Sequence, residues 1–168
     1  MRAKGSALLR FVLLGCALWA ACAAARAEVS VGNTVPAFDT VLLDGKTLPA
    51  AALKGKAVLV VFWATWCPAC QKELPELQKL YEKHRAKGFE ILALSVDADR
   101  FVVEEFWKDN DYSFPVAMRA AGHSKAFGAV KGTPTLYLID RRGVLRFAHL
   151  GAPAMDKLEA QIAPLLGK

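Results

Sequence analysis

The feature that most restricts what this chain can become is an apolar run, Ala57-Val-Leu-Val-Val-Phe-Trp63, followed closely by a pair of cysteines. Seven apolar residues rich in Val and Phe fit a strand buried on both faces, as in sheets covered by helices on either side. Beyond the turn Ala64-Thr65-Trp66, Pro68 opens a segment in which Leu74, Leu77, Leu80 and Tyr81 recur at three- and four-residue steps. That is the stripe of a core-facing helix. Proline is tolerated in a first helical turn because its missing N–H has no helical partner there. Cys67 therefore falls at a helix N-terminus, where unpaired N–H groups and the helix dipole favour an anion. For a cysteine, that anion is the thiolate. Strand, Cys67-Pro68-Ala69-Cys70 and helix together point to a redox-active dithiol.

Other uses of Cys-x-x-Cys find less support. A structural zinc site needs two further ligands at suitable spacing. The remaining cysteines, Cys16 and Cys22, lie in an N-terminal apolar segment, and His84, His123 and His149 are scattered singly. Ala69-Cys70 is followed by Gln71, so the haem-attachment motif Cys-x-x-Cys-His is absent. A disulfide closing so short a loop restrains little chain entropy and makes a poor staple. A copper chaperone gripping Cu(I) between two thiolates is the rival from another class; it wants a further Met or His near the pair, and the local sequence has none.

Phe62-Trp63-Ala64-Thr65-Trp66-Cys67-Pro68-Ala69-Cys70 resembles the active-site segment of the thioredoxin superfamily, in the manner of its TlpA/ResA/DsbE-like branch. Gly55-Lys56 before the strand, Pro75 after the second cysteine and Gly132-Thr133-Pro134-Thr135 extend the likeness, which runs from about residue 31 to the C-terminus. The resemblance implies an α/β thioredoxin fold: a three-layer α/β sandwich on a mixed sheet, with an N-terminal β-hairpin and a central strand–helix insertion near residues 97–121. It implies Cys67 as the attacking thiolate and Cys70 as the resolving thiol. Pro134 is expected to be cis beside the disulfide, with the backbone of Thr133 turned toward the sulfurs to pair with a substrate strand. Glu73, one helical turn beyond Cys70, stands where the branch carries a functional acid. Val61 occupies the place of the buried acid of thioredoxins, so that proton relay is missing.

Trp66 and Pro68 are expected to join Thr133 and Pro134 in binding substrate, while Trp63 is read as core and Trp107 as helix packing. The three histidines are read as structural or solvent-exposed. No metal is expected, and no cofactor other than the Cys67–Cys70 disulfide. The implied activity is an exported reductase of client-protein disulfides, of the cytochrome c maturation or copper-site assembly type, supplied by a membrane thiol donor. A periplasmic disulfide oxidant or isomerase is the alternative among enzymes.

Residues 1–27 read as a signal peptide. Arg2, Lys4 and Arg10 precede an uncharged stretch, residues 11–25, and Ala25-Arg26-Ala27 offers a small-x-small cleavage site. Retained uncleaved, the same segment would be a membrane anchor; Cys16 after Leu13-Leu14-Gly15 gives a weaker lipoprotein reading. Each alternative places a single domain, residues 28–168, outside the cytoplasm, here the periplasm, as a monomer. The whole chain has net charge +6, but without the leader it holds 18 basic against 16 acidic residues. A balance so near neutral argues against a nucleic-acid partner.

Patterning predicts short strands in residues 35–38 and 41–48 with a turn at Asp44-Gly45, then a helical turn over 49–54. A helix over 68–87, capped by Gly88, leads to a parallel strand over 89–96. Asp99 is a candidate N-cap for a helix to residue 110 with Phe101, Val102, Glu105 and Phe106 inward. A strand over 114–118, a short helix over 124–127, a hairpin of 135–140 with 144–149, and a helix over 154–166 complete the reading.

Overall fold

The computed structural model describes residues 29–167, so the expected leader lies outside the described residues. None of the described helices is long and apolar enough to cross a membrane. Two short antiparallel strands, β1 (Thr40–Val41) and β2 (Thr47–Leu48), precede β3 (Ala57–Trp63). There follow α1 (Pro68–His84), β4 (Phe89–Ser95), α2 (Arg100–Asp109), β5 (Val116–Met118) and α3 (Ala121–Phe127). β6 (Thr135–Ile139), β7 (Leu145–Leu150) and α4 (Met155–Ile162) close the chain.

β3 is the middle strand of a five-stranded mixed sheet of order β5-β4-β3-β6-β7. It runs parallel to β4 and antiparallel to β6. Its side chains alternate between two covered faces, which is why every one of its residues is apolar. Leu59, Val61 and Trp63 pack with Leu74 and Leu77 of α1 and Leu158 and Ile162 of α4. Val58, Val60 and Phe62 pack on the other face with Ala126 and Phe127 of α3. Each such Leu, Val or Phe removed from water contributes about 1.5–3 kcal/mol. This is the three-layer thioredoxin sandwich.

The details differ from expectation in three places. Residues 35–38 form no strand: both hairpin strands come from the second stretch, joined through Gly45 with φ 81°. Pro36 has no N–H to give a ladder, and Val35 instead bonds through its N–H to Gly143 O. The first long helix ends at His84, and residues 85–87 tighten into a 3-10 turn before Gly88. The inward face of α2 matches expectation only at Phe106, whose ring packs against Trp63. Phe101 is 62% exposed and Val102 is also exposed, while Val103 is buried. Trp107 packs its ring against Trp63 and Phe114. Asp99 does cap this helix, its side chain accepting from Phe101 N–H at 2.8 Å, and the cap sets the start of the helix without choosing its inward face.

Candidate active site

The site lies where the C-terminal ends of β3 and β4 meet the N-terminal end of β6, with Trp63 opposite Ser95 and Phe62 opposite Thr135. Cys67 is the N-cap of α1 and Pro68 its first residue. Cys67 and Cys70 are joined in a disulfide with their Cα atoms 5.3 Å apart. Cys67 Sγ also accepts the N–H of Cys70 at 3.2 Å, so one of the orphan donors of the helix start points at the sulfur. Both cysteines are nearly covered, Cys67 at 4% exposed and Cys70 at 1%.

Across the cleft, Cys67 Sγ lies 3.4 Å from the carbonyl oxygen of Thr133, an acceptor the sulfur can donate to when it is a thiol. The Thr133–Pro134 peptide is cis. The loop is held on both sides, with Thr135 Oγ1 donating to Gly132 O at 2.6 Å and Gly151 N–H to Pro134 O at 2.8 Å. Gly132 leaves little room, since a Cβ there would stand 3.2 Å from Leu150 Cδ1. Thr133 N–H has no partner among the described residues. Trp66 stands beside the pair and is 67% exposed, whereas Trp63 is fully buried beneath it.

Glu73 is 4% exposed, and its Oε1 has no hydrogen-bond partner among the described residues. Loss of solvation penalises the carboxylate, and the pKa is pushed up from 4.5 to about 7. A buried acid poised near neutrality, one helical turn from Cys70, can take up or release a proton at the pH where thiols exchange.

Pattern reading did not single out Asp97. Its carboxylate accepts Thr65 N–H at 3.0 Å, Thr65 Oγ1–H at 2.7 Å and Ser95 Oγ–H at 2.6 Å. Gln71, from the first turn of α1, donates through Nε2 to Thr65 O at 2.6 Å. The turn carrying Trp66 and Cys67 is thereby tied to the end of β4. The available signal was positional, because polar residues at the carboxyl ends of parallel strands gather at sites.

The histidines are accounted for elsewhere. His123 Nδ1 accepts Ala120 N–H at 2.9 Å, so in the neutral ring Nε2 carries the proton toward Thr40 Oγ1 at 3.0 Å. Burial and Arg119 lower its pKa. His84 Nε2 meets Glu159 Oε1 at 2.7 Å, and His149 is exposed. Among the described residues no three His, Cys, Asp or Glu side chains converge on a point suited to a metal ion.

A dithiol at a helix start, faced by a cis-proline loop at the end of a mixed sheet, defines a thioredoxin-fold thiol–disulfide oxidoreductase. The family model for Redoxin matches residues 30–162. The thiol-disulfide oxidoreductase ResA of Bacillus cereus is 33% identical over 166 residues, covering 95% of this chain and 96% of the relative. ResA of Bacillus thuringiensis is 37% identical over 133 residues, 79% of this chain and 76% of its own. A thiol:disulfide interchange protein of the thioredoxin family from Chlorobium tepidum superposes with TM-score 0.75 at 29% identity, covering 84% of this chain and all of its own. The chain belongs to the redoxin family, in its TlpA/ResA/DsbE-like branch.

Proposed function

We propose that the protein is exported and reduces the disulfides of client proteins, with Cys67 attacking, Cys70 resolving and Glu73 handling the proton. The observation that carries this reading is the buried, unpartnered carboxyl of Glu73 one turn from Cys70. A couple is strongly oxidising when its reduced form is stabilised as a thiolate. Here one N–H contact and the helix dipole favour the Cys67 thiolate, while burial disfavours it. That balance suits a reductant.

In the forward direction the Cys67 thiolate attacks one sulfur of the client disulfide. A mixed disulfide forms and the client's other sulfur leaves as thiolate, protonated in turn. Glu73 as carboxylate then takes the proton of the Cys70 thiol, and the Cys70 thiolate attacks Cys67 Sγ. The second client sulfur is released, and two electrons have passed to the client. The Cys67–Cys70 disulfide that remains is the state the structure holds. Trp66, Pro68 and the cis-proline loop receive the client, and the free N–H of Thr133 supports pairing with an extended segment.

The leader pattern of residues 1–27, cleaved or kept as an anchor, supports a periplasmic address, and there a membrane thiol donor would restore the dithiol. A client in cytochrome c maturation or copper-site assembly is the reading the family suggests. Equilibration with a thiol redox buffer tests the direction. A reduction potential near about −270 mV is expected, and one near about −120 mV would make the protein an oxidant and overturn the proposal.

A further inference from the structure

The end of the sheet opposite the dithiol carries a surface that the redox chemistry does not use. Three loops meet there through backbone contacts. Gly55 N–H donates to Arg141 O at 3.3 Å, and Arg141 Nε returns a bond to Gly55 O at 2.7 Å. Ala57 N–H donates to Gly88 O and Gly167 N–H to Lys87 O, each at 2.9 Å. Residues 54–56, 85–90 and 140–146 therefore form one continuous face.

That face holds seven basic side chains, Lys54, Lys56, Arg85, Lys87, Arg141, Arg142 and Arg146, against two acidic ones, Glu90 and Asp140. The rest of residues 29–167 holds ten basic against thirteen acidic. Its near-neutral total thus conceals a dipolar distribution. Glu90 is engaged by Lys56 at 2.9 Å and Asp140 by Arg146 at 2.6 Å. Lys54, Arg85 and Lys87 are exposed and have no ion-pair partner among the described residues. Arg142 reaches Asp140 only at 3.6 Å and is 77% exposed.

Beside these cations opens an apolar groove of about 500 Å³, lined by Val35, Phe38, Leu53, Val58 and Ile139, with Lys54, Arg141 and Arg142 at its rim. The N-terminal segment joins the domain at the same end, with Val35 N–H donating to Gly143 O at 2.9 Å. The uncharged stretch of residues 11–25 lies only a short length of chain upstream.

We infer that this basic pole docks on an anionic phospholipid surface, with headgroup phosphates against Lys54, Lys87, Arg141 and Arg142 and acyl carbon at the groove. Cationic side chains beside an apolar slot match an amphiphile, whereas a soluble polyanion would leave the slot unused. The docked pole lies at the other end of the sheet from the Cys67–Cys70 pair, so docking leaves the redox centre itself uncovered. The docking stands on charge and shape alone and holds whichever way the dithiol runs.

The test measures partitioning of the full chain onto vesicles of phosphatidylcholine alone and of phosphatidylcholine mixed with phosphatidylglycerol. Two triple variants are compared, Lys54→Gln/Lys87→Gln/Arg142→Gln at the pole and Lys108→Gln/Lys125→Gln/Lys157→Gln elsewhere, each checked for native near-ultraviolet circular dichroism. The polar triple is expected to lose on the order of a hundredfold of the phosphatidylglycerol-dependent partitioning. The remote triple, with the same net charge and the same leader, should lose only a few-fold. Equal losses in the two would mean net charge alone acts and would overturn the inference. So would a wild-type chain that binds both vesicles alike while being retained on heparin.

Discussion

Replacing Glu73 with glutamine should remove a defined pH dependence from the stability of the oxidised protein. The carboxyl titrates near 7 in the folded chain and near 4.5 when unfolded. Between those values the native state holds a proton that the unfolded chain has lost, so stability falls as pH rises. The stabilising difference is fully present below pH 4.5, is lost through the window up to about 7, and leaves a constant deficit above it. A shift from 4.5 to about 7, at about 1.4 kcal/mol per unit, amounts to about 3 kcal/mol. The amide of the Glu73→Gln variant cannot ionise and carries none of this cost. Urea unfolding of the two proteins, disulfide intact, at a series of pH values from about 4 to about 8 measures it. The difference in unfolding free energy, variant minus wild type, should rise by about 3 kcal/mol across the series. His123, whose depressed pKa gives the opposite slope at low pH, is common to both proteins and cancels. A difference that stays flat with pH would refute the argument, since it would mean that the carboxyl is solvated or paired in solution.

Three further outcomes are expected. Asp97→Asn loses the charge in three hydrogen bonds at once, and should destabilise the fold by about 2 kcal/mol in urea while slowing disulfide exchange with a model client. Trp66→Ala removes an exposed ring from the rim of the dithiol, so its unfolding free energy should change by no more than about 0.5 kcal/mol while KM for a protein client rises with little change in kcat. Cys70→Ser leaves attack intact and removes resolution, so incubation with an oxidised client should accumulate a mixed disulfide at Cys67, seen by mass spectrometry and reversed by dithiothreitol.

How much of this was legible beforehand depends on the kind of signal. The central strand was read to the residue because seven apolar positions between polar flanks admit few alternatives. The helix after it was clear from its stripe and from Pro68, and the cleft-forming loop from Gly132-Thr133-Pro134-Thr135. The inward face of α2 is legible only at Phe106, because five of its ten residues are apolar and several faces look alike; the docking of Trp107 on Trp63 and Phe114 selects Val103. The N-terminal hairpin was misplaced because strands of two residues carry no periodicity to read. Asp97 escaped notice for a related reason. A lone carboxylate between Val96 and Ala98 has no motif, and its partner Thr65 is contributed by a segment 32 residues away.

The antiparallel run of β6 beside β3 has a consequence for the order in which the chain can be made safe. A parallel neighbour such as β4 brings its finishing end to the dithiol, but β6 brings its starting end, and Thr133 is 66 residues downstream of Cys67. A chain emerging from a ribosome or a translocation channel therefore presents Cys67 and Cys70 on a completed strand and helix while the segment that covers them has yet to appear. Until residues 133–135 are out and paired, the two sulfurs lie open to any thiol or disulfide nearby. The protein's own cysteines are thus exposed to scrambling during synthesis for as long as it takes to deliver the 66 residues that lead from Cys67 to Thr133.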